Sequence, residues 1–318
     1  MMRRKGRGKR TRPDAGATGK IHPPAPCGAR NPFPHPAGRN EGRPGLFAQR
    51  HNRNLIQAAG TTLALIFHQT VYNLRTEHRN ALMGLLLTIS QTGIFILAFM
   101  GLYLVIGLRS SPIRADFMLF IMSGIIPFMA HIQTVAGVAA SPGMGSGVAR
   151  HKPLNPAVLI AASALAALYR QAVTVAVILW GYHIIISPIR LENPIGCLAM
   201  FLLAWFSGAC AGLVFLGLQP WAPKGAKLLT TAYQRVNMIA SGKMFVANTL
   251  PGLMLPWFLW NPLFHIIDQL RGHAFINYTP QKTDPFYGLW FSLAAMMIGL
   301  LLNFAARKYE SLSWSAAR

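Results

Sequence analysis

Residues 261–278 read NPLFHIIDQLRGHAFINY, a polar stretch with a clear helix-start signal inside an otherwise apolar chain. Asparagine is a preferred helix N-cap, and proline suits the first helical position because an N–H there would have no intrahelical partner. On a helix that begins at Pro262, four apolar side chains share one face: Leu263, Ile266, Ile267 and Leu270. The stretch therefore predicts a short, capped amphipathic helix that begins after Asn261.

The ionisable side chains of this stretch permit two interpretations. His265, Asp268 or His273 could act as acid, base or ligand in an enzyme. However, Asp268 and Arg271 stand three residues apart, close enough for a local ion pair that makes both charges cheaper to place near lipid. The chain has no HExxH motif and no paired carboxylates at matched positions. We therefore expect these charges to be structural or gating groups.

The composition of the whole chain is that of an integral membrane protein. Its 318 residues are 53% hydrophobic and only 12% charged, whereas soluble domains are about 25% charged. A helix needs about 20 apolar residues to cross the ~30 Å hydrocarbon layer. The clear spans are 84–107, 117–139, a segment that starts between 156 and 168 and ends near 186, 194–218, and 286–306. A sixth lies between 227 and 260, where Pro251 and Pro256 argue against the most apolar register, 236–260.

The N-terminal part of the chain differs sharply from these spans. Residues 1–54 are rich in Gly, Pro and Arg and contribute much of the formal net charge of +22, so we predict a disordered cytoplasmic tail. Its cations suit either an arm for anionic lipid or nucleic acid, or an extension that only holds the N-terminus in the cytoplasm. Residues 55–80 follow with a helical apolar face and polar residues opposite, which predicts a helix lying on the membrane surface.

Loop charges predict the orientation of the spans. The loops 147–153 and 220–227, like the two ends of the chain, carry an excess of cations. The alternate loops 109–116 and 187–193 mix acids with bases. Because cationic loops stay inside, both termini, including the short tail 307–318, are predicted to be cytoplasmic with six spans between them.

Two motifs before the last span carry a resemblance to a known family. They are SGKMFVANTLP (241–251) and WNPLFHIIDQLRGHAF (260–275). Together with the surface helix, the six spans and the cytoplasmic loop after the second span, they resemble the permeases of type-2 ABC exporters. The branch it resembles exports polysaccharide, either capsule or O-antigen, across the bacterial inner membrane. The similarity covers residues 55–312, and the basic tail has no counterpart in it.

The resemblance implies a fold and a set of partners. The fold is an all-α membrane domain (81–306) of six helices with a periplasmic re-entrant helical hairpin before the last, and the fifth span lies near 227–243. The family works as two permeases with two ATPase subunits. This chain contains no G-x-x-x-x-G-K-[ST] motif, so it is not predicted to be an enzyme. It binds no metal or cofactor itself, and ATP and magnesium belong to the partner ATPase.

The resemblance and the charges also indicate site residues, with alternatives left open. The predicted substrate path contains Arg170, Arg235 and Lys243. For the two arginines the alternative is that their side chains extend so that the cations reach the membrane interface. Trp257, Trp260 and Tyr278 either form an interfacial belt or stack on sugars at the exit. Arg150, His151 and Lys152, in the loop 140–156, either contact the ATPase or only supply positive charge. Asn261, Pro262, His265, Asp268 and Arg271 belong to the hairpin, predicted as a periplasmic gate.

Two further functions remain open from the residues alone. An exporter of drugs or lipids could share this fold, because a fold does not fix its cargo. A multi-span glycosyl or acyl transferase is the alternative from another class. For the favoured exporter, the expected partners are the ATPase, a second copy of the chain, polysaccharide, membrane lipid and further export proteins of the periplasm or outer membrane; nucleic acid is not expected.

Overall fold

The computed structural model describes residues 55–76, 81–107, 113, 116–141 and 155–316, and all regular structure in these residues is helical. The helices are α1 (Leu55–Thr76), α2 (Ala81–Ile106), α3 (Phe117–Ala139), α4 (Pro156–Ile185), α5 (Pro194–Leu218), α6 (Pro223–Ala240), α7 (Leu255–Leu259), α8 (Pro262–Ala274) and α9 (Pro285–Ala316). A 3-10 turn covers Ala247–Thr249. The predicted all-α class is confirmed.

Five of the described helices are long and apolar enough to cross a membrane. They are Leu82–Ile106, Phe117–Ala139, Pro156–Ile185, Pro194–Leu218 and Pro285–Ala306. The uncertain start of the third predicted span is therefore at its earliest bound, Pro156. The last helix also continues beyond its predicted end, because α9 runs to Ala316 through most of the segment predicted as a tail.

An Asn-Pro pair starts three of the helices in the same way. Asn155 caps α4 by accepting a hydrogen bond from Ala157 N, and Asn193 caps α5 by accepting one from Gly196 N. Asn261 does the same for α8, with proline at the first helical position in each case. A capping side chain and a fixed φ angle thus set these boundaries locally.

Helix α3 lies at the centre of the described residues. Most of its side chains are buried, and it packs along α5. Lipid gives no hydrophobic driving force between helices, so close packing depends on small residues. Gly208 and Gly212 form a GxxxG pair on α5, and a Cβ at Gly208 would lie 2.5 Å from the His131 carbonyl oxygen. Glycine at these positions lets the two helices approach.

Helix α1 occupies the position of the predicted surface helix. It packs against α4, and Asn73 Nδ2 donates a hydrogen bond to Ser163 Oγ at 3.4 Å. Its apolar residues Ile56, Leu63 and Phe67 are exposed. Polar contacts toward α4 and an uncovered apolar side suit a helix at a lipid boundary, and its placement there remains a prediction.

The predicted register of the fifth span, 227–243, is wrong by several residues. Helix α6 begins at Pro223, where proline occupies the first turn, and ends at Ala240. It ends there because Gly242 adopts a φ of 69°, a conformation that favours glycine. The Ser-Gly pair does mark the end of the helix. However, α6 is not apolar enough to count among the five helices that could cross a membrane by length and composition.

Candidate functional site

The hairpin segment, residues 241–284, joins α6 to α9 and contains the 3-10 turn, α7 and α8. It doubles back so closely that a Cβ at Gly242 would lie 2.3 Å from Phe264 Cδ2. Asn261 fixes the return point: its Oδ1 accepts from Leu263 N at 3.1 Å, and its Nδ2 donates to Asn237 Oδ1 at 3.0 Å and Ala240 O at 2.9 Å. The cap of α8 therefore also binds the end of α6, and the predicted capped helix is confirmed.

Arg271 is the fully buried centre of the hairpin segment, with 0% of its surface exposed. Its guanidinium donates hydrogen bonds to Gly242 O (3.0 Å), Phe245 O (2.5 Å), Lys243 O (2.6 Å) and Ser123 Oγ (3.4 Å). Backbone carbonyls beyond the end of a helix need a partner when they are buried. Arg271 supplies that partner, and through Ser123 it ties the segment to α3.

Asp268 holds a second set of groups. Its Oδ1 accepts from Ala247 N at 3.2 Å and from Tyr278 OH at 2.6 Å, and its Oδ2 accepts from Thr283 Oγ1 at 2.8 Å. Burial raises the pKa of the Tyr278 hydroxyl, and the Asp268 carboxylate raises it further, so this donor stays protonated. The carboxylate thereby joins α8 to the segments on both sides of it.

Asp268 and Arg271 make no direct hydrogen bond with each other, so the predicted local pairing is present only as a longer-range attraction between the two charges. Each charge has partners from other elements: Asp268 takes a backbone N–H and two hydroxyls, while Arg271 takes carbonyl oxygens and the Ser123 hydroxyl. The spacing of three residues places the two side chains on neighbouring turns of α8, but each of them forms its hydrogen bonds with groups outside that helix. Both charges are engaged in hydrogen bonds that join parts of the fold, and the prediction that they are structural or gating groups stays a prediction.

His265 has both ring nitrogens engaged. Nδ1 lies 3.0 Å from Asp284 N and accepts its hydrogen, so Nε2 must carry the ring proton that it donates to Leu259 O at 2.8 Å. The ring also lies against Tyr287, with centroids 4.4 Å apart. His265 thus joins the end of α7 to the start of α9 and has no nitrogen left for proton transfer or metal binding.

Two residues predicted for the substrate path are buried. Lys243 is 3% exposed; its Nζ donates to Met238 O and lies 3.9 Å from the centre of the Phe128 ring. Tyr278 is 8% exposed and is committed to Asp268. Neither can present a surface to a polymer in this conformation, because the folded hairpin segment places both against its own core. We assign both to structural roles.

Trp257 and Trp260 differ from these two, with 76% and 54% of their surfaces exposed. Both belong to the same bend, since α7 ends at Leu259 and Trp260 follows as its C-cap. The backbone under Trp260 is held by Tyr287 OH, which donates to the Trp260 carbonyl at 3.0 Å. The two indole rings are therefore presented outward from a supported turn.

The two arginines predicted at membrane depth have different surroundings. Arg235 lies on the exposed face of α6, twelve residues after Pro223, or about 18 Å along the helix. Arg170 is half-buried and lines a cavity of about 390 Å³ with Arg75 on α1 and Leu82 on α2. It is therefore level with the start of α2, although it lies mid-way along the 30-residue α4. The structure does not bring the two arginines into one described cavity.

The predicted coupling residues Arg150, His151 and Lys152 lie outside the described residues, as does the tail 1–54. Within the described ranges, no group of three or more His, Cys, Asp or Glu side chains could hold a metal ion.

One buried polar cluster was not predicted from the sequence. His131 on α3 is fully buried, with Nδ1 2.8 Å from Ser207 Oγ on α5 and Nε2 2.9 Å from Tyr233 OH on α6. It pins α6, the least apolar of the long helices, to the core. A histidine within a long apolar segment is the signal that could have identified it, because such a group needs buried partners.

The helices and the hairpin segment define a multi-pass helical membrane protein, and comparison with known proteins narrows the class. No protein-family model matches the chain. Over 232 residues it is 24% identical to an Escherichia coli protein named polysialic acid transport protein KpsM. The aligned residues make up 72% of this chain and 88% of that protein. A second E. coli protein of that name is 23% identical with the same coverage. The chain is therefore similar, over most of its length, to two proteins named as polysaccharide transport components.

Proposed function

We propose that this chain is the transmembrane permease subunit of an ATP-driven ABC exporter that moves a polysaccharide across the bacterial inner membrane. The observation that carries the proposal is the 232-residue similarity to two polysialic acid transport proteins. The alternative of a membrane transferase would use His265 or Asp268 in catalysis, and the contacts of these two residues do not support that role. Both nitrogens of His265 and both carboxylate oxygens of Asp268 are occupied by structural hydrogen bonds.

The direct test is deletion of the gene in the native bacterium. Surface polysaccharide should vanish while its precursor accumulates in the cytoplasm, and the wild-type gene should restore export. Surface polymer that persists after deletion would remove the proposed function.

ATP hydrolysis comes from a separate subunit in this proposal. The chain has no phosphate-binding G-x-x-x-x-G-K-[ST] motif, so ATP and magnesium belong to the partner. Two permeases would work with two ATPases, joined through the loop that contains Arg150 and Lys152. Reversing both charges to Glu should reduce recovery of the ATPase with the purified permease, because the loop would lose its attraction to acidic partner residues.

Helix α6 acts as the sixth span in the proposed assembly. Its 18 residues extend about 27 Å, close to the ~30 Å hydrocarbon layer. Both termini are then cytoplasmic, and the hairpin segment enters the membrane from the periplasm. Single cysteines test this orientation after Cys27, Cys197 and Cys210 are replaced by Ser: in that background Lys282→Cys should react with an impermeant maleimide in intact spheroplasts, whereas Lys227→Cys should react only after lysis.

The exposed face of α6 forms the substrate path. Arg235 is exposed on this face, and in the proposed assembly it would lie at membrane depth, where a cation is costly unless its surroundings are wet or anionic. An acidic polymer passing along a second copy of α6 would provide such surroundings. Trp257 and Trp260 would offer stacking surfaces near the exit, which tolerate different sugars. Arg170, level with the start of α2, fits the alternative of a cation at the membrane interface.

A further inference from the structure

Two cavities are stacked at the end of the molecule that carries the hairpin segment. The outer one has a volume of about 500 Å³ and includes the polar groups of Asp116, Tyr182, Ser187, Arg190 and Glu192. The inner one has a volume of about 310 Å³ and is enclosed by α3, α4, α5 and α8, with almost wholly apolar walls. They share four wall residues, Leu119, Leu191, Ala274 and Phe275, so a single ligand could occupy both.

The inner cavity has the depth and the opening expected for a lipid chain. Along α3 its wall runs from Leu119 to Pro127, eight residues or about 12 Å, against ~15 Å for half of the hydrocarbon layer. Helices α4 and α5 hardly touch each other. Ala172 and Ala176 on α4 and Leu198 on α5 line the gap and are also exposed. The cavity is therefore open sideways toward lipid.

The outer cavity carries charged groups of both signs. Asp116 Oδ2 accepts hydrogen bonds from Tyr182 OH and from Ser187 Oγ at 3.0 Å, which fixes the carboxylate in the wall. Within the described residues, Asp116 Oδ1, the Glu192 carboxylate and the Arg190 guanidinium have no hydrogen bond or ion pair. One cation and two anions at the wall suit a headgroup that itself carries both signs.

We propose that these cavities bind one phospholipid whose headgroup contains a phosphate and a primary ammonium. Arg190 pairs with the phosphate, Asp116 and Glu192 take the ammonium, and one acyl chain fills the inner cavity. Among the described residues of the wall, a purely anionic headgroup would meet two carboxylates and the single cation of Arg190, so the site favours the zwitterion. Helix α6 contributes no wall residue, which separates this site from the proposed substrate path.

Occupancy has a structural consequence for the hairpin segment. Leu270 and Ala274 of α8 form part of the inner wall, so the acyl chain packs directly beneath the helix that carries Arg271 and Asp268. The bound lipid therefore supports α8 at the wall that Leu270 and Ala274 form. Removing it should loosen the hairpin segment while leaving the other helices in place.

The test uses the full-length protein in nanodiscs of phosphatidylethanolamine and phosphatidylglycerol with a trace of photoactivatable phosphatidylethanolamine. Peptide mapping should place crosslinks on α4 and α5. Ala176→Phe, which narrows the inner cavity, should reduce them about tenfold, whereas the control Val177→Phe, one residue along but outside the cavity, should leave them unchanged. Equal labelling of these two variants would overturn the proposal.

The headgroup assignment has its own pair of variants. Arg190→Gln should weaken labelling about tenfold, because it removes a charge-assisted contact to phosphate, whereas Lys282→Gln at the same end of the molecule should not. Arg190 is exposed, so this variant keeps the proposal testable even where Ala176→Phe fails to fold. If unlabelled phosphatidylglycerol competes as well as unlabelled phosphatidylethanolamine, the zwitterionic site is wrong.

Discussion

Helices α8 and α6 are both short and amphipathic, and each carries an arginine. Arg271 on α8 is fully buried and donates to three backbone carbonyls and one hydroxyl. Arg235 on α6 is exposed and has no hydrogen bond within the described residues. The same residue type therefore serves the fold in one helix and is available to a ligand in the other.

The backbone around each helix explains the difference. The chain turns back on itself after α6, and the carbonyls of Gly242, Lys243 and Phe245 point into the protein, where the Arg271 guanidinium donates to all three. No comparable turn lies beside Arg235. A mutation at Arg271 therefore tests assembly of the fold, whereas a mutation at Arg235 tests transport.

The largest expected effect on stability is at Arg271. Arg271→Leu leaves the carbonyls of Lys243 and Phe245 without their donor and removes one of the two donors to the Gly242 carbonyl, so it should lower the free energy of unfolding by about 3 kcal/mol. Thermal unfolding of the purified protein in detergent measures this. Arg235→Leu is the matched control, and a surface change of that kind should stay within about 0.5 kcal/mol. Equal losses for the two variants would contradict the comparison.

Gly124 on α3 tests the same contact from the other side. A Cβ there would lie 2.5 Å from the Lys243 carbonyl oxygen and 2.8 Å from Arg271 Nη2. Gly124→Ala should therefore cost about 1–3 kcal/mol, because the carbonyls must move away from the guanidinium. Gly93→Ala on α2 meets nothing within 4 Å and should be neutral or slightly stabilising in the same thermal measurement.

A smaller effect distinguishes two caps of the same type. Asn261 caps α8 and also donates to Asn237 and Ala240, whereas the side chain of Asn193 only caps α5. Asn193→Ala should cost about 1 kcal/mol, and Asn261→Ala about 1 kcal/mol more, since it also detaches α8 from the end of α6. Equal costs in chemical denaturation would show that the additional hydrogen bonds contribute nothing.

Local signals in the sequence predicted much of this fold, and they failed where distant groups decide. The Asn-Pro starts and the long apolar segments depend on neighbouring residues, so α4, α5 and α8 begin at their predicted prolines or at the predicted bound. The register that the resemblance implied for α6 was off by several residues, and hydropathy could not correct it because α6 is not apolar enough for its ends to be located in that way. Only the positive φ at Gly242 and the proline at 223 fix them.

The site was predicted less well than the fold for the same reason. Spacing suggested an ion pair between Asp268 and Arg271, but their actual partners lie up to 148 residues away in sequence. Tyr278 and Lys243 looked available because nothing local shows that they fold inward. His131 was not predicted as a site residue, although its buried partners come from two other helices. Such contacts appear only once the chain is folded.

The most direct measurement of the central claim is polysaccharide export by Arg235→Leu and Arg235→Lys. Complementation of the deletion strain gives the rate at which polymer reaches the surface, and thermal unfolding confirms that each variant folds as the wild type does. If the exposed face of α6 is the path for an acidic polymer, Arg235→Leu should slow export about tenfold while Arg235→Lys retains most of it. Export by Arg235→Leu at the wild-type rate would show that this cation plays no part in the path.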